Sequence, residues 1–144
     1  MYLDQLSVFM ENRVSRMNDI LLKLKENDIN VLSLTLADTN EFGILRLIVN
    51  QPEKARNVLK ENGFSAKLTR VLAVKVPNKV GTLQNMLELL SKSQLNLEYM
   101  YVLANSRDFS AIVVKADEPE KAGEILEKNG FLFVTAEEVD SIGA

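Results

Sequence analysis

"PNKVGTLQNMLELLSKSQLNLEYMYV", residues 77–102, decides how this chain is read. A short polar loop containing Gly81 leads into a segment in which Val80, Leu83, Leu87 and Leu90 recur at helical spacing. Just before the loop, Leu72, Val74 and Val76 alternate with other residues, which is the pattern of a strand with one buried face. Asn96 stands where extended sequence resumes. The stretch therefore reads strand, loop, helix, strand. Whether the loop is a plain turn or a cradle for a small charged molecule depends on the rest of the chain, which says nearly the same thing twice.

Leu6, Val8, Asn12, Val14, Leu21, Leu24 and Asn30 match Leu72, Val74, Asn78, Val80, Leu87, Leu90 and Asn96, each pair 66 positions apart. One extra residue then enters. Phe42 matches Phe109, "PEKA" 52–55 matches "PEKA" 119–122, and "NGF" 62–64 matches "NGF" 129–131, now 67 apart. Such matched blocks indicate internal duplication, and two copies make a pair of small domains rather than a solenoid. The expected domains are 1–69 and 70–144.

Each copy has the same order of signals. Residues 6–10 and 72–76 alternate as strands. Val14, Met17, Leu21 and Leu24 form a helical stripe in the first copy, as their counterparts do in the second. Strands are expected at about 30–37, 42–49, 96–103 and 109–116, with "ADTNE" and "ANSRD" as the turns between them. Pro52 and Pro119 suit the first turn of a second helix, and Asn62-Gly63 and Asn129-Gly130 suit its end. A last strand closes each copy. The order β-α-β-β-α-β predicts an α+β fold: two ferredoxin-like sandwiches in tandem, each with two helices on one face of an antiparallel sheet. "SAKLTRVLAVKV", 65–76, contains no break signal, so the two copies are expected to join without a flexible linker.

Helices cover only one face of such a sheet. In the first copy the other face is expected to carry Ser7, Phe9, Ile44, Arg46 and Ile48, and in the second Ala73, Lys75, Ala111, Val113 and Lys115. The first set is too apolar to sit comfortably in water, which predicts a homodimer packed through it. The acidic run "EEVD", 137–140, is read as a solvated tail.

Composition narrows the function. The chain has 144 residues, 47% of them apolar, and a formal net charge of −3. Lys and Arg are scattered among Asp and Glu, with no basic stripe for nucleic acid. Cys and His are both absent, which removes thiol chemistry, cysteine metal sites and the commonest general base. No apolar run reaches the roughly 18 residues of a membrane span, and the N-terminus lacks a signal-peptide pattern. A cytoplasmic protein without catalytic activity, cofactor or metal is expected, with no nucleic-acid or membrane partner. The strands "FGILRLIV" and "FSAIVVKA" lack the interleaved aromatics of an RNA-recognition motif.

The loops "MENRVSRM", 10–17, and "VPNKVGTL", 76–83, are each followed, eighteen residues after the loop Asn, by Asn30 or Asn96 at the start of the second strand. With the duplication and the element order, this resembles the ACT domain, an amino-acid-sensing module of metabolic regulation. The family's line runs Asn or Asp, a basic or polar residue, Pro-Gly, an aliphatic residue and Leu, with a second Asn opening the next strand. Residues 5–69 and 71–136 carry the resemblance. Both copies have Val, at 14 and 80, where the family prefers Pro, and Ser15 stands where it has Gly. The resemblance implies a ligand site at Asn12, Arg13, Val14, Asn78, Lys79, Val80, Gly81, Thr82 and Leu83. It adds Asn30 and Asn96 facing the ligand from a neighbouring unit; Tyr99 and Tyr101, just after Asn96, are candidate pocket walls by their position. It also implies a free amino acid as ligand and an amino-acid biosynthetic enzyme on another chain as partner, as with acetolactate synthase regulatory subunits.

The chemistry suits those residue types. The start of a helix offers unpaired N–H groups and a positive dipole end to a carboxylate. Gly81 lets backbone approach closely. An Asn carboxamide both donates and accepts. Alternatives remain open at each position. Asn78 is equally a helix N-cap. Asn30 and Asn96 are equally turn residues, Tyr99 and Tyr101 equally core or interface. The whole chain is then a structural or protein-interaction module with a degenerate site.

Overall fold

A computed structural model describes residues 1–11 and 15–142. The chain divides into two compact units, Asp4–Thr69 and Met1–Leu3 with Arg70–Ala144. Each is an antiparallel sheet with two helices.

In the unit built from Asp4–Thr69, β1 (Tyr2–Glu11), α1 (Arg16–Glu26), β2 (Val31–Asp38), β3 (Phe42–Val49) and α2 (Pro52–Glu61) lead into β4 (Ser65–Pro77). The strands order β2-β3-β1-β4. Register is fixed by pairs such as Leu6 with Leu47 and Leu34 with Leu47. The core between sheet and helices gathers Leu6, Val8, Ile20, Leu24, Leu45, Leu47, Leu59 and Phe64. The second unit repeats this with β4, α3 (Thr82–Lys92), β5 (Leu97–Asn105), β6 (Phe109–Ala116), α4 (Pro119–Lys128) and the two-residue β7 (Leu132–Phe133). Its order is β7-β4-β6-β5, and its core gathers Leu72, Val74, Met86, Leu90, Ile112, Val114 and Leu126. The α+β, tandem ferredoxin-like architecture read from the sequence is the architecture observed.

The repeated "NGF" has a local reason. Asn62 and Asn129 end α2 and α4, and their side-chain amides donate back to the carbonyls of Val58 (2.7 Å) and Ile125 (2.8 Å). Gly63 and Gly130 take the left-handed conformation, φ 82° and 86°. The Phe64 and Phe131 N–H groups then reach the carbonyls of Leu59 (2.9 Å) and Leu126 (3.0 Å), completing a six-to-one helix stop.

Two expectations about packing change. The helical stripe centres on Ile20 and Leu24 in α1 and on Met86 and Leu90 in α3. Val80 lies in the loop before α3 and is fully exposed, and Leu83 is 42% exposed. The spacing argument treated Val80 as helical, and that displaced the stripe. On the open face of the first unit, Phe9 and Phe42 are exposed and stack at 5.2 Å between ring centroids, whereas Ser7 and Ile48 are buried within the single chain. Only part of that face is therefore bare.

The C-terminal segment of the second unit runs along the edge of β4 and then reaches Lys75 on the open face. The N–H of Val134 donates to the carbonyl of Ala73 (2.8 Å), and Lys75 pairs with Glu138 at 3.1 Å. Val139, in the 3₁₀ turn Val139–Ser141, is buried. "EEVD" is thus a tether rather than a solvated tail. It escapes a composition argument because its anchor, Lys75, lies 63 positions away. The Thr135 N–H, and after it Lys75, hold the Glu138 carboxyl below its ordinary value of 4.5.

A carboxylate depressed on folding stabilises above its ordinary value, and that contribution disappears as pH falls through the lower folded value. Glu138→Gln should therefore be less stable than the parent at neutral pH, and the gap should close as pH drops below 4.5. Urea denaturation across that range measures it.

Candidate functional site

The strand-to-helix loop of the second unit is tied internally and to the turn between β5 and β6, and it borders a cavity. Gly81 caps α3 in the left-handed conformation, φ 89°, and no side chain caps the helix. The first intrahelical bond runs from the Asn85 N–H to the Gly81 carbonyl at 2.9 Å. The N–H groups of Leu83 and Gln84 precede it and have no intrahelical acceptor, as at any helix start. The Thr82 hydroxyl turns inward to the carbonyls of Pro77 and Lys79 and closes the loop.

Asn78 is tied to the turn between β5 and β6. Its amide nitrogen donates to the carbonyls of Ser106 (2.8 Å) and Arg107 (3.1 Å), and its own N–H donates to the Asp108 carbonyl (3.0 Å). The Ser110 hydroxyl shares its proton between Asn105 Oδ1 (2.8 Å) and Asn78 Oδ1 (3.1 Å). Both amide hydrogens are thus committed, while Oδ1 keeps acceptor capacity. Asn78 is not the N-cap of α3.

A cavity of about 680 Å³ opens beside this loop, lined by Asn78, Lys79, Val80, Gly81, Thr82 and Leu83 together with Val76, Leu87 and Ile112. The structure brings these six sequence-predicted residues of the second unit to one place. Val80 and Leu83, exposed although apolar, supply greasy wall. Sequence reading missed Ser110 and Ile112, which come from β6. Strand alternation carried the signal, since Ile112 shares the helix-facing side with Val114.

Other predicted residues lie elsewhere. Asn12, Arg13 and Val14 lie outside the described residues. Asn96 opens β5, and its N–H donates to Asp117 Oδ1 (3.2 Å) while its carbonyl accepts from the Asp117 N–H (3.0 Å). Asn30 makes the matching pair with Asn50, at 3.0 Å and 3.2 Å. Both have turn-fixing backbone roles, and Asn96 is not among the residues lining the loop cavity. Asn30 lines a separate depression between α1 and β2, with Leu21, Lys25 and Asn50. Tyr99 pairs with Lys115 and stacks on Tyr101 at 6.4 Å. That places it on the face of the sheet opposite Val76 and Ile112, away from the cavity.

In the first unit Ser15 occupies the position of Gly81 and adopts the same left-handed conformation, φ 72°, with no capping bond from its hydroxyl. Ser15 keeps this conformation in spite of a side chain that disfavours it.

These features define a class: tandem βαββαβ units that present a strand–helix loop at the end of a sheet. The family described as "ACT domain pair" matches residues 1–142, and the chain belongs to it. Among solved structures, protein BT0572 from Bacteroides thetaiotaomicron is similar at 34% identity over 96% of both chains, with a TM-score of 0.90. The regulatory subunit of aspartate kinase from Thermus thermophilus, in a ligand-free form, shares the fold at 14% identity and a TM-score of 0.60, covering 88% of this chain and 92% of its own. The corresponding subunit from Thermus flavus does so at 16% and 0.57, covering 89% and 94%. Among curated proteins, none matches the chain. No helix among the described residues is long and apolar enough to cross a membrane.

Two substitutions test the loop. Asn78→Ala should cost roughly 1–2 kcal/mol and speed amide exchange selectively at residues 106–110, read by hydrogen–deuterium exchange. Gly81→Ser should destabilise by roughly 1 kcal/mol, and Ser15→Gly should stabilise by up to about 1 kcal/mol, both read by chemical denaturation.

Proposed function

We propose that the chain is a non-catalytic regulatory protein that binds a free amino acid at the loop between β4 and α3. The observation that carries this reading is the cavity lined by all six predicted residues from Asn78 to Leu83. The chemistry of the loop divides the zwitterion. With both amide hydrogens of Asn78 engaged, its Oδ1 is left to accept from the ligand ammonium. The carboxylate falls to the N–H groups at the start of α3 and to Lys79, where the helix dipole is positive. Val80, Leu83 and Leu87 meet an aliphatic part of the ligand. Family membership supports the reading, because the sequence resemblance implies amino-acid sensing. The loop holds a ligand by hydrogen bonds and charge and needs no nucleophile.

The same reading makes the protein a cytoplasmic regulator of an amino-acid biosynthetic enzyme on another chain. A second copy of the chain covers the exposed Phe9–Phe42 stack of the first unit. A ligand transmits a signal only by favouring one of two states, so the partner must distinguish loaded from empty protein.

A second reading has one observation in its favour: Asn78 is already spent on residues 106, 107 and 110. It is then a structural pin in an interaction module without a ligand. A thermal-shift panel of the twenty amino acids separates the two. A ligand at 100 times its dissociation constant should stabilise by roughly 2.7 kcal/mol, a shift of roughly 5–10 °C. Loss of the response in Lys79→Ala with the fold retained places the ligand at this loop. A flat panel overturns the proposal.

A further inference from the structure

The duplication provides an internal comparison. In the first unit the Arg16 guanidinium lies 4.5 Å over the ring of Phe64, which is 7% exposed. Arg16 and Phe64 correspond to Thr82 and Phe131 in the second unit. There the side chain is short, and its hydroxyl is turned inward to the carbonyls of Pro77 and Lys79. Phe131 is left half-exposed and forms a wall of a cavity of about 460 Å³, lined also by Asn85, Asp108, Phe109 and Leu132. This cavity is separate from the amino-acid cavity, although Pro77 and Thr82 border both.

We infer that this second cavity binds a small guanidinium compound, which takes over Phe131 the place that Arg16 fills over Phe64. The aromatic face attracts a weakly hydrated planar cation. Asp108, counterpart of Glu41, supplies a carboxylate at the rim, while Asn85 replaces the acidic Asp19. Among the described residues the cation lining the cavity is Lys75, which is paired with Glu138 at 3.1 Å, so its charge is offset. Phe109 and Leu132 offer apolar surface to an alkyl tail. The volume falls within the roughly 300–1,000 Å³ range of small-molecule sites.

Calorimetric titration of the full chain with agmatine tests this, because agmatine carries the guanidinium but no carboxylate for the other loop. Agmatine and arginine should bind, and citrulline, neutral with nearly the same shape, should bind at least about tenfold more weakly. Asp108→Asn should weaken agmatine about tenfold while leaving intact any response found in the amino-acid panel. Thr82→Arg should fill the cavity from within and abolish agmatine binding. Phe131→Leu should do the same by removing the ring. Several results would overturn the inference. They are no binding of agmatine, displacement of bound agmatine by citrulline as readily as by arginine, and agmatine binding unaffected by Asp108→Asn and Thr82→Arg. End-blocked arginine peptides binding tenfold more tightly than agmatine would replace it with a protein-docking site.

Discussion

The structure of the site depends on one backbone requirement. The chain must leave a strand and enter a helix within a few residues, with a left-handed residue at the junction. Gly81 meets it at φ 89° without steric cost, and Ser15 meets it at φ 72° with a side chain that opposes it by roughly 1–2 kcal/mol. The same conformation in both copies, with one copy strained, indicates that the surrounding packing imposes the turn. In the second copy two further ties hold it. Thr82 closes the loop on itself, and Asn78 fastens it to the turn between β5 and β6. The loop is thereby pre-organised. Any ligand bound there would therefore have little ordering of the loop to offset.

Much of this was legible in the sequence because duplication supplies what one copy leaves ambiguous. β3 and β6 occupy 42–49 and 109–116, as the period-2 pattern indicates, and Pro52 and Pro119 open helices as their fixed φ allows. "NGF" is readable because its three parts act locally: a back-bonding amide, a left-handed residue and a closing N–H. The less legible features are those that depend on distant partners. Asn78 looks like an N-cap until residues 106, 107 and 110, about thirty positions on, are folded against it. Glu138 looks solvated until Lys75 reaches it. Tyr99 is different, since strand alternation alone sets it on the face of Lys115 and Val113. Proximity to Asn96 in sequence suggested the pocket, and the period of two sends it elsewhere.

The two copies have diverged at matched positions, and the differences follow local demands. Arg56 on α2 corresponds to Gly123 on α4. A Cβ at Gly123 would stand 2.7 Å from Met1 Sδ and 3.1 Å from the Tyr2 hydroxyl. The first residues of the chain belong to the second unit and claim the space a side chain would need. Arg70 completes that contact by lying 4.1 Å over the Tyr2 ring. Phe9, bare on the open face of the first unit, corresponds to Lys75, which lies 5.4 Å from the Phe109 ring and anchors Glu138.

A further pair of exchanges falls at the start of the first helix of each unit. In the first unit Arg16 lies over Phe64, whereas the stacked Phe9 and Phe42 stay exposed. In the second unit the cation over the matching ring is gone, and the loop ahead of α3 carries Gly where the first has Ser. Thr82 in place of Arg16 leaves Phe131 to line a cavity, and Gly81 in place of Ser15 leaves the helix start without a Cβ. A duplicated fold can divide labour in this way, because the stability of each sandwich rests on its own core of Leu, Val and Ile and not on the rim. Rim residues are then free to differ between the copies without cost to either core.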